Sequence, residues 1–285
     1  VDPGCGAAYS LAVHLLKMLG CKAVSINSQP DGFFPGRNPE PSSESLKPLS
    51  ALVAQCGADL GIAYDGDADR VAFVDERGDF MSFDRSLAAM AGYYLKQNLG
   101  GIVVAPIDTS MCIDEIAIRE HGKVERTAVG DVEVARAIEE KRAVFGGEPC
   151  GAWINPRFHT CPDGILSSIM FLHALETENT SASSFISRVP EYPIIRAKVN
   201  CPIVAKDTVM ARLRDMFMTQ FREKIEISTL DGIRFSTRDW WMLVRPSGTE
   251  PIIRLTVEAK DEKTAKDLLK LGVDEVSMAV MEAGS

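Results

Sequence analysis

Asp65-Gly66-Asp67-Ala68-Asp69-Arg70 lies between two short apolar runs, residues 58–64 ahead of it and Val71-Ala72-Phe73-Val74 behind it. Both runs read as buried strands, so the hexapeptide is the turn that joins them. Carboxylates at alternate positions of one turn repel each other, and burying them unpaired costs several kcal/mol or more, on the order of the penalty for any isolated charge. A hard divalent cation resolves the conflict. Mg2+ takes a few carboxylate oxygens together with substrate phosphate, so Asp65, Asp67 and Asp69 are the expected metal ligands. Gly66 lets the backbone turn, and Arg70 offers a planar fork suited to a phosphoryl group. A solvated Asp/Gly turn is the plainer alternative. A calcium loop is excluded: Asp65, Asp67, Asp69 and Glu76 fall at its positions 1, 3, 5 and 12, but Arg70 stands where glycine is required and the flanks are strands rather than helices.

Composition sets the class. The 285-residue chain is 46% hydrophobic and 25% charged, ordinary for a globular protein of two or three domains. A net charge of -9 argues against a nucleic-acid partner. No apolar run is long enough to span a membrane and no signal peptide is visible, which points to the cytoplasm. The 7 cysteines form no C-x-x-C pair, as expected of reduced thiols. Cys150, His159 and Cys161 lack a fourth ligand and a zinc spacing.

Outward from the hexapeptide, the glycine-rich turn at residues 1–6 leads to a helix ending at Gly20; such a turn is either a phosphate cradle or a simple βα connection. A strand is expected over 22–27. A stiff proline loop follows over 30–41, read as a lid beside the metal or as a surface loop. A helix over 42–56 is expected to be capped by Ser42 or Ser43. Beyond the hexapeptide come a hairpin turn at 75–78, a helix over 83–99 and a boundary at Gly100-Gly101. A second βα series follows: a strand over 102–105, a helix to Glu120 capped by Thr109, a strand over 123–127, and Val129-Gly130-Asp131 leading into a helix over 132–141, with Asp131 as cap. The next strand, over 142–145, ends in Gly146-Gly147-Glu148-Pro149-Cys150-Gly151. There Glu148 can accept hydrogen bonds from two neighbouring hydroxyls. Asp163 opens a helix to Glu176, residues 177–184 read as a loop or cap, and residues 189–193 read as a linker. The final segment has strands over 194–199, 225–228, 232–236, 240–244 and 252–258, and helices over 207–221 and 262–281. Between its last two strands, Arg245-Pro246-Ser247-Gly248-Thr249-Glu250-Pro251 supplies a guanidinium, two hydroxyls and an unhindered glycine N–H: a phosphate cradle.

The expected fold class is therefore α/β, with two consecutive βα-type domains with mixed sheets (1–100 and 101–188) followed by an α+β domain with an antiparallel sheet and two helices (189–285).

Taken together, D-G-D-A-D-R, G-E-x-x-G and R-P-S-G-T-E-P, in that order and on those contexts, resemble the α-D-phosphohexomutases, the phosphomannomutase/phosphoglucomutase/phosphoglucosamine mutase superfamily. The resemblance extends over essentially the whole chain. It implies an enzyme that interconverts hexose 1-phosphate and hexose 6-phosphate through a phosphoserine and a bisphosphorylated sugar. It also implies Mg2+ at Asp65, Asp67 and Asp69; phosphoryl contact by Arg70; sugar recognition by Glu148 and Cys150; and distal-phosphate binding by Arg245, Ser247, Gly248 and Thr249. Two departures stand out. Cys150 replaces the family's usual serine, and Ala152 stands where many members have a histidine that relays a proton, a role for which His159 is either a substitute or an unrelated surface residue. No serine lies in a loop like the family's nucleophile loop. The chain, which starts at Val1, is thus expected to lack an N-terminal phosphoserine domain and to be inactive without it. The alternative is a non-catalytic module that binds phosphosugar and Mg2+. Glucose, mannose and glucosamine phosphates are not separated by these motifs.

Overall fold

In a computed structural model, which describes residues 1–220 and 225–283, the hexapeptide joins β1 (Gly61–Tyr64) to β2 (Val71–Val74). The two strands pair antiparallel, Tyr64 opposite Val71. Both are buried along their whole length, so the acidic turn is held at the end of an apolar ribbon. The ribbon's alternation sends Ala63, Ala72 and Val74 against Leu46, Leu49 and Val53, of which the last two lie on α2 (Lys47–Cys56). Phe73, pointing the other way, stacks on Phe171 of α6 (Gly164–Thr177) with ring centroids 4.1 Å apart. Burying a phenylalanine in this way contributes about 1.5–3 kcal/mol. At the chain start, Asp2 bridges Ala63 in parallel, ahead of α1 (Leu11–Met18).

Next, α3 (Phe83–Gln97) leads into a four-stranded sheet of β3 (Gly101–Pro106), β4 (Gly122–Thr127), β5 (Phe145–Gly147) and β6 (Trp153–Ile154), ordered β4-β3-β5-β6. β3 is parallel to β4 and β5, and β6 is antiparallel to β5, so the sheet is mixed. The crossovers are α4 (Cys112–Arg119) and α5 (Asp131–Lys141), and Val134 and Ile138 of α5 pack on Val104 and Ile154. The segment ends with α6 and the short α7 (Ala182–Ile186). Residues Val1–Pro190 form one compact unit and Glu191–Ser285 the other.

The second unit is a five-stranded antiparallel sheet, ordered β7-β11-β10-β9-β8: β7 (Ile194–Asn200), β8 (Glu226–Ser228), β9 (Ile233–Ser236), β10 (Trp240–Pro246) and β11 (Ile252–Ala259). Register puts Met242 opposite Val257 and Val244 opposite Leu255, one apolar face. That face is covered by Val209, Leu213 and Phe217 of α8 (Lys206–Gln220) and by Ala265, Val276 and Ala279 of α9 (Glu262–Ala283). The α/β and α+β class read from the sequence is the observed one. Among the described residues, no helix is long and apolar enough to cross a membrane.

Several local expectations are corrected. Residues 22–27 form no ladder: their backbone bonds are isolated ones such as Ile26 N to Val1 O, and Asn27 is left-handed (φ 52°). α2 begins at Lys47, since Pro48 suits only a first turn; the Ser42 hydroxyl instead accepts from Ser45 N in the preceding turn. Thr109 does not cap α4: its hydroxyl is buried without a hydrogen bond, and Ser110 Oγ accepts from Cys112 N. Asp131 is the first residue of α5 rather than its cap, where its charge still favours the helix N-terminus. Arg142 is the left-handed end of α5 (φ 51°), so the strand expected there starts at Phe145. Residues 177–184 run into α7, capped by Ser181. The last residue of the helix expected over 207–221, Phe221, lies outside the described residues.

Candidate active site

The acidic turn is braced from two sides. Gly66 O accepts from Ala7 N at 2.9 Å, and Ala68 O from Gly164 N at 3.0 Å. A Cβ at Gly6 would lie 2.5 Å from Gly66 O, and one at Gly164 2.6 Å from Arg70 O, so both neighbours must be glycine. Ala68 itself is left-handed (φ 68°), strain these contacts hold in place. The glycine turn at residues 1–6, read as a phosphate cradle or a simple βα connection, and the helix start at Asp163-Gly164 both buttress this loop. Asp163 also caps α6, accepting from Leu166 N.

This bracing brings carboxylate oxygens of Asp65, Asp67 and Asp69 within 4.8 Å of one another. Burial, and then the neighbouring Asp69 and Asp67, push the Asp65 carboxyl up to about 7. Asp69 Oδ1 is buried without a hydrogen bond. Crowded oxygens, one of them unsatisfied, suit a hard cation, so the residues present fit Mg2+. Arg70 stands beside them, its Nε 3.7 Å from Asp65 Oδ2 and 3.6 Å from Asp69 Oδ1, while its Nη1 donates to Glu40.

The Glu148 loop abuts β2. Val71 N donates to Gly151 O at 3.1 Å, and Arg70 bridges Ala152. Glu148 Oε1 accepts from Gly130 N at 2.9 Å, so the Val129-Gly130-Asp131 turn orients the carboxylate. Burial raises the Glu148 pKa despite that bond, and burial pushes the Cys150 thiol up to about 11, keeping it a neutral hydrogen-bonding group. His159 is engaged elsewhere: Nε2 lies 3.2 Å from Asp163 Oδ2 and Nδ1 3.3 Å from Cys161 Sγ.

In the second unit, Arg245 Nε donates to Asp231 at 3.0 Å. Ser247 Oγ accepts from Glu250 N at 3.2 Å, closing the loop, while Gly248 and Thr249 are exposed. The buried Lys206 donates through Nζ to the carbonyls of Ser247 and Glu250. Lys206, Arg37 and Glu40 were missed by sequence reasoning. Arg37 beside Gly36 and Glu40 between two prolines offered a hint; Lys206, between Ala205 and Asp207, offered none.

Profiles described as phosphoglucomutase/phosphomannomutase alpha/beta/alpha domain II, alpha/beta/alpha domain III and C-terminal domain match residues 1–78, 82–192 and 197–271. The chain belongs to the phosphoglucomutase/phosphomannomutase family. Relatives named "Probable phosphoglucosamine mutase" are 48% identical in Methanothermobacter thermautotrophicus, over 93% of this chain, and 46% identical in Methanopyrus kandleri, over 99%. The chain spans 58% and 62% of the lengths of those two relatives. Among solved structures, a phosphoglucomutase/phosphomannomutase family protein from Burkholderia thailandensis is 25% identical with a TM-score of 0.85, covering 99% of this chain and 60% of that one. An N-acetylphosphoglucosamine mutase from Aspergillus fumigatus, solved with GlcNAc-6P and magnesium, shares the fold at 16% identity and TM-score 0.65, covering 100% of this chain and 61% of that one.

Proposed function

We propose that this family member carries the metal-, sugar- and distal-phosphate-binding parts of a mutase that interconverts glucosamine 1-phosphate and glucosamine 6-phosphate. The 48% identity to a protein named for that activity carries the choice of sugar. The parts follow the three segments 1–100, 101–188 and 189–285. Asp65, Asp67 and Asp69 would hold Mg2+, which when bound neutralises charge on the oxygens of a transferring phosphoryl group. Arg70 contacts that group through its guanidinium. Glu148, one oxygen fixed by Gly130, presents the other to sugar hydroxyls, and Cys150 adds a neutral contact. Arg245, Ser247, Gly248 and Thr249 hold the phosphate that does not react. The phosphoserine that donates and retrieves the phosphoryl group comes from outside these residues.

The test is calorimetry and turnover of the chain with Mg2+, a hexose bisphosphate activator and the 1-phosphates of glucosamine, glucose and mannose. Binding of glucosamine phosphate without turnover is expected, weakened about tenfold or more by Arg245→Ala, as for loss of a charged hydrogen bond. Turnover would overturn the nucleophile assignment. Tighter binding of glucose or mannose phosphate would overturn the sugar, and no phosphosugar binding would overturn the whole reading.

A further inference from the structure

The proline loop, read above as a lid or a surface loop, contains a buried cation with an unusual set of partners. Arg37 Nε donates to Asp2 Oδ2 at 3.0 Å. Its Nη1 donates to Asn38 O at 2.9 Å and Pro39 O at 3.0 Å. Its Nη2 donates to Asp2 O at 3.3 Å and to Tyr64 O. A guanidinium has five N–H donors, and every one is used. The seat is built for it: Gly4 is left-handed, and a Cβ there would lie 2.6 Å from Arg37 Nη2. Asp2, equally buried, is held in turn by Gly4 N at 2.8 Å and Asn27 Nδ2 at 3.1 Å.

Three of those acceptors, the carbonyls of Tyr64, Asn38 and Pro39, bear on the acidic turn. Tyr64 is the last residue of β1 and immediately precedes Asp65. Asn38 and Pro39 lead into Glu40, whose N donates to Asn38 Oδ1 at 3.0 Å and whose carboxylate takes Arg70 Nη1. Arg70 is therefore drawn in two directions, toward Glu40 through Nη1 and toward Asp65 and Asp69 through Nε.

We propose that Arg37 and Glu40 form a positioning device for the metal loop: Arg37 locks the proline loop onto the backbone at Tyr64, and Glu40, delivered by that loop, holds Arg70 back from the aspartates so that their oxygens stay available to a cation. The device rests on the metal reading given above. Without Glu40, the Arg70 charge turns to Asp65 and Asp69 and competes with the cation.

Mn2+ binding to the chain, read from the free-ion electron paramagnetic resonance signal alongside melting temperature, tests this. Glu40→Gln is expected to weaken Mn2+ about three- to fivefold with an unchanged melting temperature, because the Glu40–Arg70 pair is exposed and adds little to stability. Arg37→Lys, which keeps the charge but not the fork, is expected to lower the melting temperature and weaken Mn2+. Adding Glu40→Gln to that variant should weaken Mn2+ less than it does alone. A Glu40→Gln protein that binds as tightly as wild type, with Asp67→Asn impaired, would overturn the device and leave the metal site standing. Wild type without saturable Mn2+ binding would overturn both. An Arg37→Lys loss confined to melting temperature would make Arg37 structural only.

Discussion

Gly151→Ala tests how the sugar loop is tied to the metal ribbon. Gly151 has φ +93°, and a Cβ there would lie 2.2 Å from Val71 O and 3.0 Å from Phe83 Cε1. The first contact is to backbone at the start of a buried strand, so it cannot be relieved by a side-chain rotation. An L-residue forced to this φ costs about 1–2 kcal/mol. Moving the carbonyl out of the clash also breaks the 3.1 Å bond from Val71 N to Gly151 O, about 1 kcal/mol more. The sum, about 2–4 kcal/mol with residual overlap, should appear in urea unfolding followed by circular dichroism. Gly248→Ala is the control: nothing lies within 4 Å of its added Cβ, so its change should stay within about 0.5 kcal/mol. Because Val71 follows Arg70, the Gly151 variant should also bind metal and phosphosugar more weakly. A Gly151→Ala protein as stable as the control would mean that the two loops are not joined as described.

Lys206→Met should loosen the phosphate loop by leaving the carbonyls of Ser247 and Glu250 without their ammonium donor. The expected loss is about 2–4 kcal/mol of unfolding free energy, with weaker phosphosugar binding by calorimetry. Acid should loosen the first unit through Glu76. Burial raises its pKa, but the hydrogen bonds from Ser183 Oγ and N more than offset this and bring it from 4.5 down to about 2. A depressed carboxyl stabilises fully above its unfolded value and loses that contribution as pH falls through the folded one. Stability should thus drop between about pH 4.5 and pH 2, and a Glu76→Gln protein should show a flatter profile over that window.

The parts legible in the sequence share a property: their chemistry is local. Three aspartates at alternate positions repel each other whatever surrounds them, Asp163 caps the helix it precedes, and Arg245 to Pro251 is a self-contained turn. The parts that were not legible depend on acceptors that no sequence displays. Arg37 and Lys206 look like solvated charges in loops, yet most of their partners are backbone carbonyls, Tyr64 O and Asp2 O for one, Ser247 O and Glu250 O for the other. Residues 22–27 failed as a strand for the same reason, because the β pattern is local but a ladder needs a neighbour in register. Glycines marked the hidden contacts more faithfully than charges did. Gly4, Gly6, Gly151 and Gly164 each sit where a Cβ would strike a polar group of the site region, Arg37, Gly66, Val71 or Arg70. A glycine whose turn does not explain it is thus evidence of a close approach from elsewhere. By that argument Gly36, whose Cβ would meet Asn27 Oδ1 at 2.3 Å, makes the proline loop part of the site's frame, since Asn27 also holds the Asp2 carboxylate on which Arg37 sits.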